Sequence, residues 1–136
     1  MKKGKQFLLD TQILIWLMRN ETTKLKNKRL RFLDENCFVS IESLKEMAHK
    51  LAIGKIEIEA NPKRLLKQIE NFGISVLDFD KDAISALFNL PFYKENRDPS
   101  DRAIVAHAIS KKMVLVSEDS QFRLYQKDGL YLQRLK

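Results

Sequence analysis

The chain is predicted to be an α/β protein with a doubly wound, mostly parallel sheet, because two kinds of segment alternate along it. Short continuous apolar runs, as strands buried on both faces show, occur at Phe7-Leu8-Leu9, Cys37-Phe38-Val39, Ser75-Val76-Leu77 and Met113-Val114-Leu115-Val116. Leu130-Tyr131-Leu132 is a weaker fifth. Between them, apolar residues recur at helical spacing over residues 13–18, 25–33, 43–53, 62–72, 82–90 and 99–112. Four to five strands joined this way imply helices on both faces, right-handed crossovers and a ligand site beyond the carboxyl ends of the strands.

Composition narrows the class. Hydrophobic residues make up 44% and charged residues 32% of the 136 positions, which suits a globular chain and excludes a disordered one. One compact domain over residues 1–136 is the expectation for this length. The apolar runs are too short to cross a bilayer, and Asp10 interrupts Phe7-Leu8-Leu9 before a signal-peptide core can form. Cys37 is the single cysteine and has no internal disulfide partner, so a reducing cytoplasm is expected. The formal charge of +7 favours a polyanionic partner, nucleic acid first, although a merely solvated basic surface would look the same. There is no Walker-type glycine loop and no nucleophile elbow.

The acids carry the chemical signal. Asp10 directly follows the first apolar run and precedes a helical segment, which places it at the carboxyl end of a strand; capping that helix is the competing reading. Asp119 repeats the arrangement after Met113-Val114-Leu115-Val116-Ser117, with Ser117 and Ser120 as polar companions. In Asp98-Pro99-Ser100-Asp101-Arg102, Asp98 reads as an N-cap, Pro99 as a first-turn residue and Asp101 as the acid three positions on. Asp101 shares a face with Val105 and Ala108 of a helix apolar nearly all round, which puts it at the mouth of the core. Glu46 is different: it lies roughly 160° from the stripe of Leu44, Met47, Ala48 and Leu51, so periodicity alone makes it solvated. Glu42 fits a first-turn carboxylate favoured by the helix dipole.

Carboxylates gathered at one sheet edge resist joint ionisation unless a cation stands among them. An all-oxygen site suits Mg²⁺ or Mn²⁺, and such ions activate water for in-line attack on phosphorus. Phosphodiester hydrolysis is the reaction this chemistry points to.

The sequence resembles a PIN domain, and within that family the VapC-like toxins of type II toxin–antitoxin pairs. The resemblance spans Phe7 to about Leu132. It is carried by Leu8-Leu9-Asp10-Thr11 with Leu14-Ile15-Trp16-Leu17, by Val39-Ser40 with Leu44-Lys45-Glu46, by Arg97-Asp98-Pro99-Ser100-Asp101-Arg102 with Ala106-His107-Ala108, and by Leu115-Val116-Ser117-Glu118-Asp119. It implies a three-layer α/β/α fold, a metal-dependent ribonuclease, and Asp10, Glu46, Asp101 and Asp119 as the acidic cluster, with Asp98 as an additional acid. Thr11 and Ser117 are implied as groups that position those acids or a water. An RNA substrate, a silencing antitoxin protein and a homodimer are implied as partners. Relatives often carry His where Gln12 stands, Phe where Ser100 stands, and a basic or small residue where Glu118 stands; Glu118 adds negative charge beside the site.

Other residues have plainer readings. Lys24, Lys26, Lys28, Arg29 and Arg31 form a basic stretch that can hold RNA phosphates or simply be solvated. His107 reads as a core or edge histidine, Cys37 as a small buried side chain, and Trp16 and Phe92-Tyr93 as core or dimer packing, with base stacking or a protein interface as the alternatives. A phosphoacceptor receiver would need an acidic pair after the first strand, where Asp10 is followed by Thr11. A PIN-like module that binds RNA or protein without cutting would have no reason to hold the acidic set.

Overall fold

The computed structural model describes residues 5–19, 36–58 and 61–135. The helical segment expected over residues 25–33, and with it the basic stretch Lys24, Lys26, Lys28, Arg29 and Arg31, lies outside the described residues. In chain order the elements are β1 (Gln6–Leu9), α1 (Thr11–Met18), β2 (Asn36–Ser40), α2 (Ile41–Ala52), a 3₁₀ turn Pro62–Arg64 leading into α3 (Leu65–Asn71), and β3 (Ile74–Leu77). They continue with α4 (Lys81–Asn89), α5 (Pro99–Lys111), β4 (Val114–Ser117), a 3₁₀ helix Ser120–Asp128 and β5 (Tyr131–Arg134).

The five strands form one sheet in the order β3-β2-β1-β4-β5, and every pairing is parallel. All five apolar runs are strands, including the weak one. Phe7 pairs with Cys37 on one side and Val114 on the other, so β1 is central and hydrogen-bonded along both edges. Its side chains alternate: Phe7 and Leu9 join a core with Ile13, Leu14, Leu17, Val39, Met47 and Ile69, while Leu8 faces a second core of Ile104, Val105, Ala108, Phe122 and Tyr125. Two cores on opposite faces of one sheet make three layers. Each fully buried leucine contributes about 1.5–3 kcal/mol relative to exposure.

Two expected helix starts are present: Asp10 caps α1 by accepting from Ile13 N–H at 3.0 Å, and Asp98 caps α5 with Pro99 in its first turn. Helix α2 starts at Ile41, two residues before the expected segment, with Ser40 as its cap. Helix α5 is buried along Ala103–Ala108, which fits its near-uniform apolar character. At Gly129 the backbone takes φ 102, which turns the chain from the 3₁₀ helix into β5 at little cost only for glycine. No helix among the described residues is long and apolar enough to cross a membrane.

Candidate metal centre

In this strand order the connections leave β1 toward β2 and β3 on one side, while β4 and β5 lie on the other, so the topological switch falls between β1 and β4. Such a switch opens a crevice at the carboxyl ends of the two strands. Asp10 follows the last residue of β1, and Ser117, Glu118 and Asp119 close β4, so the sequence delivers acids to both lips of that crevice. A cavity of about 460 Å³ occupies it, lined by Asp10, Glu46, Asp98, Asp101 and Asp119 together with Thr11, Gln12, Trp16, Lys50, Glu118 and Phe122.

Each acid is held by local structure. Asp10 is buried; its Oδ1 accepts the Ile13 N–H and its Oδ2 accepts the Ser117 hydroxyl. The same Ser117 Oγ accepts from the Asp119 N–H at 3.0 Å, so one hydroxyl ties the two strand ends together. Asp119 Oδ1 accepts the Gln121 N–H at 2.9 Å and starts the 3₁₀ helix. Asp98 Oδ1 takes the N–H groups of Ser100 and Asp101 at 2.8 and 3.1 Å. The capping reading holds for Asp10, Asp98 and Asp119, and the caps hold all three carboxylates at the wall of the cavity.

Glu46 departs from the periodicity argument. Instead of pointing to solvent, it lines the cavity, accepts the Thr11 hydroxyl at 2.5 Å on Oε1, and pairs with the Lys50 ammonium at 3.1 Å through Oε2. The apolar stripe of α2 faces the sheet, but α2 also packs against α5, and Glu46 lies on that second side, beside Asp98 and Asp101 at the start of α5. A helical wheel assumes one buried face and cannot show this.

Glu46, Asp98 and Asp101 each present a carboxylate oxygen, and the three oxygens lie within 4.8 Å of one another. Burial, then the charges of Asp98, Glu46, Asp119 and Asp10, push the Asp101 carboxyl up to about 7. Burial pushes Asp10 up to about 6 against the hydrogen bonds from Ser117 and Ile13, with Asp119 and Glu46 adding to the rise. Among the described residues lining the cavity Lys50 is the one cation. So dense an oxygen-only set of acids, two of them resisting ionisation, fits a hard dication.

The remaining assignments divide. His107 is fully buried and bonds Ser40 Oγ at 2.7 Å, as a core histidine should, and Cys37 is buried. Tyr93 packs on Tyr125 and donates to Asp128 Oδ2 at 2.6 Å. Phe92 is not in the core: it is 62% exposed with the Arg102 guanidinium over its ring. Trp16 is half-buried, against the core on one side and the acidic cavity on the other. Lys50 escaped the sequence reading, although its place four residues after Glu46 is the spacing of a helical ion pair.

The chain belongs to the PIN-domain family: the model of the PIN domain matches residues 7–128. PIN domains are nucleases, so membership carries hydrolysis of nucleic-acid phosphodiesters as the class of reaction. Among solved structures, the fold is similar to that in DNA-bound VapBC2 from Rickettsia felis, with a TM-score of 0.67 and 17% identity over 96% of this chain and 99% of that one. It is equally similar to DNA-bound VapBC from Salmonella typhimurium, with a TM-score of 0.67 and 22% identity over 96% of this chain and 98% of that one. VapBC-1 from nontypeable Haemophilus influenzae follows, with a TM-score of 0.65 and 20% identity over 95% and 97% of the two chains. Among curated proteins none is a significant sequence match.

Proposed function

We propose that this chain, a single PIN-like domain over residues 1–136, is a Mg²⁺- or Mn²⁺-dependent endoribonuclease that acts as the toxin of a bacterial toxin–antitoxin pair. The carrying observation is the convergence of Asp10, Glu46, Asp98, Asp101 and Asp119, from separate parts of the chain, on one cavity at the switch point of the sheet. Glu46, Asp98 and Asp101 would hold the ion directly, with Asp10 and Asp119 lining the same cavity.

A bound dication lowers the pKa of its water and offsets charge on the phosphoryl oxygens. The chain's own groups prepare for it. Thr11 fixes one oxygen of Glu46, and Ser117 fixes Asp10 relative to Asp119. Asp101, part-protonated near neutrality, gives up its proton as the centre fills, so loading is favoured as pH rises. Trp16 and Phe122 give the cavity apolar walls that limit water around the reacting phosphate.

The partners follow the family. The solved neighbours include VapBC and FitAB assemblies, one described as a member of a family of toxin–antitoxin systems, and this supports an antitoxin protein as partner. Phe88, 86% exposed, and Phe92 offer apolar surface to a protein, an antitoxin or a second copy in a homodimer. The setting proposed is the cytoplasm. The decisive experiment incubates mixed tRNA and ribosomal RNA with the protein and Mg²⁺ or Mn²⁺, beside chelator and Asp10→Asn controls. Cleavage that needs the ion and fails in Asp10→Asn is expected; equal cleavage by both proteins discards the mechanism. Growth arrest on expression, relieved by the adjacent gene's product, tests the toxin role separately.

A further inference from the structure

A second cavity, also about 460 Å³, opens from the acidic one and shares Glu46, Lys50 and Asp98 with it. Its other walls are Lys45, His49, Ile53 and Lys55 on one side and Pro99 and Ser100 on the other. The character reverses at the junction. On the acidic side Lys50 is the one cation among the described lining residues; beyond it α2 and the turn after it add Lys45, Lys55 and His49.

The geometry of α2 explains the reversal. Lys45 and His49 are one helical turn apart, about 6 Å along the axis, and share a face. Lys50 extends that row back toward Glu46, and the turn at Gly54, with φ 74, returns Lys55 to the same groove. His49 and Lys50 also stand in the last turn, where the helix dipole favours positive charge. Ile53, 53% exposed, gives the groove an apolar spot among its cations.

A path that is anionic where a dication would bind and cationic directly beside it fits a ligand with a repeating negative backbone. Only one of its phosphates needs to sit at the carboxylates. We propose that this groove carries the phosphodiester backbone flanking the scissile bond of a single-stranded RNA, with Lys50 on the adjoining phosphate and Lys45, His49 and Lys55 on those that follow. The inference rests on the nuclease reading and adds the direction in which the strand leaves the site. The ion pair with Glu46 gives Lys50 two roles. Without substrate it offsets charge among the acids, and a phosphate of the strand draws it outward.

The test is binding, not cleavage. A fluorescein-labelled single-stranded RNA is titrated in chelator by anisotropy across a KCl series, with wild type, Lys50→Gln, the double variant Lys45→Gln/Lys55→Gln, and Lys127→Gln as a distant control. Each phosphate contact contributes about 0.7 to the slope of log affinity against log salt for a single strand. The slope is expected to fall by about 0.7 in Lys50→Gln and about 1.4 in the double variant, and to stay unchanged in Lys127→Gln. Thermal unfolding confirms that the variants fold. Wild-type slopes in folded groove variants of a protein that cleaves RNA overturn the groove and leave the nuclease reading intact. Wild-type slopes with loss of antitoxin binding assign the groove to a protein instead. A wild type that neither binds nor cleaves RNA removes both.

Discussion

Ser40 and His107 meet through a buried hydrogen bond of 2.7 Å between the serine hydroxyl and His107 Nδ1, and this contact sets the register of two helices. Glu46 stands six residues after Ser40 and Asp101 six before His107, so α2 and α5 run antiparallel with matched offsets of about 9 Å. Where the first pair touches, the second is brought into the three-acid group. Ser40 Oγ already accepts the Glu42 N–H, so its own proton goes to Nδ1. Burial, then the Lys111 ammonium, lowers the His107 pKa despite Asp80, Glu42 and the Asp78 backbone, which keeps the ring neutral and Nδ1 an acceptor.

Removing that contact is expected to loosen the metal centre at a distance. His107→Leu or Ser40→Ala should weaken Mn²⁺ binding about 10-fold, with about 1–3 kcal/mol lost from folding stability. His107→Asn, whose side-chain oxygen can stand where Nδ1 stood, should recover most of the affinity. Electron-paramagnetic titration of Mn²⁺ reads this; wild-type affinity in a folded His107→Leu protein would show that the register is set elsewhere.

Asp101 is held against its own ionisation by burial and four neighbouring acids, so the site is destabilising while empty of cation. Asp101→Asn should raise the melting temperature in chelator by a few degrees. The same change should abolish RNA cleavage and weaken Mn²⁺ binding at least about 10-fold. Melting curves with chelator and with Mn²⁺ separate the two effects, and a variant less stable than wild type in chelator would contradict the repulsion.

The pH response follows from the same two carboxyls, with Asp10 pushed up to about 6 and Asp101 up to about 7 from an ordinary 3.8. Between about 4 and 7 the folded chain binds protons that the unfolded chain has released, so stability falls as pH rises through that window. In chelator the melting temperature should drop from about pH 5 to about pH 7.5. Saturating Mn²⁺ should flatten or reverse the trend, because the ion competes with the protons. A melting temperature that climbs over this range in chelator is the contrary result.

The strands were legible because β1, β2 and β4 are buried on both faces and read as unbroken apolar runs; even the edge strand β5 was visible through Leu130 and Leu132. Asp10 and Asp119 were legible because each directly follows such a run. Periodicity hides Glu46, which only the family resemblance implies, and Lys50, since their placement depends on α2 meeting α5, a contact between segments far apart in the chain. Phe92 lies outside the core, where Arg102 covers one face of its exposed ring. The Ser40–His107 pair was hidden for the same reason as Glu46: each residue has a local explanation, as cap or core side chain, that conceals the tertiary one.

Ser117 offers the sharpest separation between folding and function, because one hydroxyl serves both acids at the switch point. It donates to Asp10 Oδ2 and accepts from the Asp119 N–H, and its bond to Asp10 is the largest influence holding that carboxyl below the level burial alone would set. Ser117→Ala should therefore push the Asp10 pKa further up and release the strand-end tie on Asp119. The fold should persist, because Ser117 keeps its backbone pairing with Arg134 across β4 and β5. The pH at which Mn²⁺ binding is half developed should move upward, by up to about one unit if the hydrogen bond is worth about 1.4 kcal/mol. Mn²⁺ titrations across pH, run beside Ser120→Ala as a nearby hydroxyl deletion, provide the measurement. A midpoint that stays in place or moves down would mean that Asp10 does not titrate against the ion and that the two lips of the cavity act independently.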